Sequence, residues 1–174
     1  THEAYPLPMG MENGAPLITL DDIRYYYSKG IRYVTLTHGK DNHICDSSYD
    51  TTATWGGLSP YGLKAIAEMN NIGMIIDVSH ISDKTFYQVM EHSRAPVLAT
   101  HSSCRYFTPG WERNMSDEMI IELGKHGGVI QITFGSDFLD AEVTKGRAAN
   151  RNELNARLEA AGLEADDPQA KPII

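Results

Sequence analysis

Five apolar runs of strand length, each separated from the next by polar or helix-like sequence, constrain this chain more than any other feature. They are LPMGME (7–12), IRYVTLTH (31–38), GMIIDVSH (73–80), APVLATH (95–101) and GGVIQITF (127–134). Each is rich in Val, Ile, Leu or Thr, the composition of a buried strand. The intervening segments carry helix signals. Residues 20–30 end on Gly30, and residues 59–71 open with Ser59 as N-cap and Pro60 at N1, with Gly73 just beyond their end. Residues 82–92 and 116–126 also open on serine, and 151–161 form an amphipathic pattern before Gly162. Strands alternating with helices of about 10–15 residues predict an α/β fold with a parallel sheet and right-handed crossovers. The 174 residues are enough for one domain with a core of its own.

Composition removes several function classes. With 15 Lys and Arg against 23 Asp and Glu the net charge is −8, and there is no basic run. Nucleic acid is therefore not an expected partner, because phosphate backbones need clustered cations. No apolar stretch approaches the roughly 20 residues that span a bilayer, so no membrane-spanning segment is expected. Neither a Gly-x-Gly-x-x-Gly nor a Walker sequence is present, which leaves nucleotide binding unsupported. Cys45 and Cys104 are too few for a disulfide framework and lack zinc-ribbon spacing, and they leave the redox compartment undecided. The opening THEAYPLPMG has neither the basic start nor the apolar core of a signal peptide, and the chain stops on AKPII. Both ends read as cut.

The polar residues of the strand runs carry the chemistry. By strand alternation Val34 and Leu36 share a face with His38, Ile76 and Val78 with His80, Val97 and Ala99 with His101, and Gly10 with Glu12. A single histidine at a strand end is unremarkable as a hydrogen-bonded core or loop residue. Four polar strand ends in succession are different, because the C-terminal ends of parallel barrel strands converge. Glu12, His38, His80 and His101 are expected to meet there. Two imidazoles and a carboxylate make the ligand set of a hydrolytic Zn²⁺ site that keeps one position open for water. The remaining histidines point elsewhere: His92 and His126 fall in the last turns of helices, His2 is terminal, and His43 lies undetermined in the long polar segment 39–57.

The motifs GMENG with Glu12, LTH with His38, IIDVSHIS with His80, APVLATHSS with His101 and ERNMSDE with Arg113 occur in an order and spacing that resemble the membrane (renal) dipeptidase family, over roughly residues 7–135. That family comprises zinc dipeptidases built on amidohydrolase-like (β/α)₈ barrels. The resemblance implies two zinc ions bridged by the glutamate at Glu12, with the second ion completed by His80 and His101. It implies that His38 lies over the substrate and stabilises the scissile carbonyl and its oxyanion. It also implies that Arg113 grips a dipeptide's terminal carboxylate, which suits the bidentate guanidinium fork. From its position alone, Arg113 would be an exposed cation before the helix opening at Ser116.

Two departures matter. The family's first zinc ion is held by a His-x-Asp pair, and His2-Glu3-Ala4 does not supply one; at most one ion is fully ligated here. The family's late aspartate is also missing, since Asp137 in GSDF falls one strand too early and reads as a decoy. The resemblance thus implies a partial TIM (β/α)₈ barrel, about strands 3–7 with their helices, forming one incomplete domain over 1–174 that is inactive alone. The open edges of such an arc favour association, and a homodimer is possible by analogy. Export or surface anchoring is likewise an analogy only. Two alternatives stay open: a related metal-dependent amidohydrolase acting on another amide or a lactam, and a non-catalytic binding protein on the same barrel.

Overall fold

Side-chain caps fix where the helices begin. Ser59, Ser82 and Ser116 each accept a hydrogen bond from a backbone N–H three residues on, and Thr19 forms a reciprocal capping box with Asp22. In the computed structural model, which describes residues 8–165 and 167, these caps open α1 (Leu20–Ser28), α2 (Pro60–Ile72), α3 (Asp83–His92) and α4 (Asp117–Lys125). Gly73 ends α2 at φ 79°, a left-handed turn that costs glycine least. His2 and Leu7 lie outside the described residues.

The helices alternate with β1 (Met9–Glu12), β2 (Ile31–Thr35), β3 (Ile75–Asp77), β4 (Leu98–Ser102) and β5 (Val129–Ile132). All neighbouring pairs are parallel, and the strands stand side by side in chain order. Right-handed crossovers between strands in this order place the helices on one face. Val34, Leu36, Ile76, Val78, Val97 and Ala99 form one buried core with Ile23, Ile66, Met69, Phe86, Val89, Met119 and Leu123 of the helices. The α/β architecture is as expected from the sequence. No helix among the described residues is long and apolar enough to cross a membrane.

Three details differ from the sequence expectation. The strands are shorter: β2 stops at Thr35 and β3 at Asp77, so His38 and His80 lie beyond the ladder. The apolar residues of β2, β3 and β4 face the helices, whereas Gly10, Glu12, Tyr33, Thr35, Thr100 and His101 line a small cavity of about 170 Å³. The polar residues therefore do not continue the apolar face, as simple alternation suggested. Finally, the last helix begins ten residues earlier than expected. After α5 (Ser136–Leu139), α6 runs Ala141–Ala161, with Asp140 as its N-cap. Among its described residues Leu158 is the buried hydrophobic one, so no broad apolar stripe runs along them. Its Ala-, Glu- and Arg-rich composition and the Lys145–Glu142 and Arg157–Glu153 pairs favour helix locally instead.

Gly62 in α2 lies against the Ile44 carbonyl, where a Cβ would come within 2.2 Å of the oxygen. In α4 a Cβ on Gly124 would meet nothing within 4 Å. Helix propensity alone favours alanine at both sites by about 1 kcal/mol. Urea denaturation should separate them: Gly124→Ala gains about 0.5–1 kcal/mol, whereas Gly62→Ala loses about 1–3 kcal/mol to overpacking.

Candidate functional site

Glu12 is the last residue of β1, and its carboxylate stands where the neighbouring strands end. His101 reaches it through an irregularity in β4. Ala99 pairs with Ile130 and Ser102 with Ile132, so β4 holds one extra residue relative to β5. This bulge turns both Thr100 and His101 toward the cavity, a re-aiming that regular alternation forbids. His80 arrives by another route. The Ser79 N–H donates to Asp77 Oδ1, and His80 takes a left-handed φ of 70°, uncommon for a residue other than glycine. The ring then lies 93% buried beside Glu12.

The resulting cluster is tight. Glu12 Oε1 lies 3.0 Å from His101 Nε2, 3.2 Å from His80 Nε2 and 3.5 Å from His38 Nε2. The two Nε2 atoms of His80 and His101 are 2.9 Å apart. His38 stacks on His80 with ring centroids 4.3 Å apart. Of the four expected residues, Glu12, His80 and His101 offer donor atoms within 4.8 Å of one another, a group able to hold a metal ion, and His38 stands alongside. A carboxylate and two imidazoles aimed at one point are a donor set that fits Zn²⁺ or a similar divalent ion. Burial, then Arg113 and the other two histidines, push His80 down to about pKa 2, which keeps its ring neutral as a ligand must be.

The polar segment between β2 and α2 folds over this end of the sheet. Asp41 accepts from Ser47 N and from both N and Oγ1 of Thr54, while Asp46 accepts from Trp55 N and Gly57 N. The segment holds the two histidine backbones in turn, as Ser47 Oγ donates to the His38 carbonyl and Ser48 N to that of His80. Its Tyr49 ring lies 5.7 Å from His80 and 6.3 Å from Trp111.

Arg113 is 98% buried, not an exposed cation. It donates from Nη1 to Ser102 Oγ at 2.8 Å and from Nη2 to the His101 carbonyl at 2.5 Å, and it stacks 5.1 Å over the Phe138 ring. Its Nε is buried with no partner among the described residues. Burial lowers its pKa from the usual guanidinium value, while Tyr49, Asp77 and Glu12 pull it back. The other histidines are accounted for: His43 bonds the Leu17 carbonyl and stacks on Tyr61, His92 closes α3, and His126 caps α4. Asp137 pairs with Arg147, apart from the cluster. Both cysteines are free thiols.

The model of the membrane dipeptidase family (Peptidase family M19) matches residues 1–165. The chain belongs to this family. Dipeptidase verJ of Clonostachys rogersoniana is 42% identical over 120 residues, covering 69% of this chain and 31% of that protein. Among solved structures, the probable dipeptidase PvdM from Pseudomonas aeruginosa superposes with a TM-score of 0.68 at 36% identity, covering 72% of this chain and 33% of that one. A metallo peptidase from Rhodobacter sphaeroides, liganded with a phosphinate mimic of the dipeptide L-Ala-D-Ala, gives 0.68 at 26% identity, covering 76% and 39%. The chain thus spans about a third of the length of these members, and its five-stranded sheet matches part of a TIM-barrel-like dipeptidase fold. Membership also implies a metal, for which the Glu12–His80–His101 group is the candidate.

Sequence reasoning missed Asp77, Thr35 and Thr100, which lie directly beneath the cluster. A carboxylate inside the apolar run GMIIDVSH was the available signal, because a buried charge needs partners.

Because His80 resists protonation, the unfolded chain takes up a proton below about pH 6.5 that the folded chain refuses until about pH 2. Metal-free wild type should therefore lose stability relative to His80→Asn by about 1 kcal/mol per pH unit as pH falls from about 6 to 5. Denaturant titrations at the two pH values measure it, and asparagine is chosen because it tolerates the left-handed backbone.

Proposed function

We propose that this chain is a metal-binding, substrate-holding domain of a zinc dipeptidase, in which Glu12, His80 and His101 hold Zn²⁺. The observation that carries the reading is the convergence of one carboxylate and two imidazoles on a single point. Family membership and the dipeptidase relatives support hydrolysis of small peptides. Bound Zn²⁺ supplies a Lewis acid that lowers the pKa of water and polarises a carbonyl oxygen.

The remaining residues act on the substrate. His38, half exposed and stacked on His80, donates a hydrogen bond to the oxygen that gains charge as the amide is attacked. Arg113 receives the dipeptide's terminal carboxylate. Its Nε–H has no hydrogen-bond partner among the described residues, and its place over Phe138 holds the guanidinium plane still. Selection for a free carboxylate in this way would set a dipeptidase apart from an amidohydrolase acting on lactams or blocked amides.

Purified chain should take up about one Zn²⁺ per molecule, and His101→Ala should abolish the uptake. Well-folded protein that binds no zinc would sink the metal reading. Calorimetry with the zinc-loaded chain tests the carboxylate role. A dipeptide should bind about tenfold to a hundredfold tighter than its C-terminal amide, the span of a charge-assisted hydrogen bond. Equal binding of the two would remove Arg113 from the proposed site.

A further inference from the structure

Building on the metal reading above, we propose that Asp77, acting through the Thr100 hydroxyl, is the positioning residue that decides which nitrogen of His101 is free to bind the ion. Asp77 is fully buried in β3, and four donors converge on it. Thr35 Oγ1 and Thr100 Oγ1 each donate to Oδ2 at 2.5 Å, and Ser79 N and Thr100 N each donate to Oδ1 at 3.0 Å. A threonine hydroxyl has one hydrogen to give. Thr100 gives it to Asp77, so its 2.7 Å contact with His101 Nδ1 runs the other way, from Nδ1–H to Oγ1.

A neutral imidazole with its hydrogen on Nδ1 carries a lone pair on Nε2. That Nε2 is the atom 3.0 Å from Glu12 Oε1 and 2.9 Å from His80 Nε2. In this tautomer two acceptors face each other across 3.0 Å, an arrangement that a cation between them resolves. The backbone of His101 is fixed as well, since its N–H donates to Ser79 Oγ and its carbonyl accepts from Arg113. Ring orientation is thus set before any ion arrives, and the Asp77–Thr100 pair holds the proton on Nδ1 against the pull of the Glu12 carboxylate on Nε2. His80 differs, because its Nδ1 is buried with no partner among the described residues.

The test uses the metal-free chain labelled with ¹⁵N-histidine, at about pH 8 where a free imidazole is neutral. The His101 nitrogen shifts report the tautomer without any metal or activity. Wild type and Thr100→Ser should hold the proton on Nδ1, whereas Thr100→Val should move it to Nε2. Asp77→Asn should do the same: its carboxamide donates to the Thr100 hydroxyl and turns that hydroxyl's hydrogen toward Nδ1. Zn²⁺ affinity by chelator competition should fall about 10- to 100-fold in Thr100→Val and recover in Thr100→Ser. Retention of the Nδ1 proton in Thr100→Val would overturn the proposal, as would a serine variant as weak as the valine one. The threonine pair decides the question even if Asp77→Asn fails to fold. Should wild type bind no zinc while the tautomers follow this pattern, the metal reading fails and the positioning role of Asp77 stands.

Discussion

A carboxylate buried at the middle of a parallel sheet has to be met by donors, and Asp77 is met by four, from β3's own continuation and from both neighbouring strands. Leaving such a group unpaired costs several kcal/mol, so the three strands are tied to one mutual register at the level of Thr35, Asp77 and Thr100. Ladder pairing between β3 and β4 is confined to Asp77 and Leu98, and the carboxylate takes over where the ladder ends. Everything above that level inherits its position from this interlock: the turn at His80, the bulge that frees His101, and the gap into which Glu12 points.

The candidate cluster was legible in the sequence, though by a route the structure corrects. Alternation picked out His38, His80 and His101 by extending each strand to its histidine. In fact β2 and β3 stop earlier while β4 runs through His101, and His80 and His101 reach Glu12 through a left-handed residue and a bulge respectively. The residues converge because sequential parallel strands end at one edge, a property of topology that survives errors of register. What could not be read were the cross-strand partners of Asp77, Thr35 and Thr100, which lie 42 and 23 residues away in the chain. The burial of Arg113 was hidden for a similar reason: its partners are the Ser102 hydroxyl and the His101 carbonyl, and no local pattern marks a cation that is satisfied by distant groups. In α6 the pattern search failed differently, because composition and not an apolar stripe drives that helix.

Arg113 and His101 share a peptide carbonyl, which couples the residue proposed to hold the substrate to a residue proposed to hold the metal. Around them Tyr49, Trp111 and Phe138 form a run of rings that shields the guanidinium from water. A cation in such a setting is weakly solvated, and the groups it bonds, the Ser102 hydroxyl and the His101 carbonyl, carry no charge. It has much to gain from a carboxylate ligand, and its field also disfavours a proton on His80.

The early ends of β2 and β3 have a dynamic consequence. Beyond Thr35 and Asp77 the β2 and β3 ladders do not continue, and the chain is held by side-chain bonds such as Ser47 Oγ to the His38 carbonyl and by scattered backbone bonds such as Ser48 N to that of His80 and Ser82 N to that of Asp46. Segments secured in this way open at lower free energy than the packed ladders beneath them. The boundary between ladder and rim thus falls within a single strand, at Asp77, where the carboxylate replaces the strand pairing.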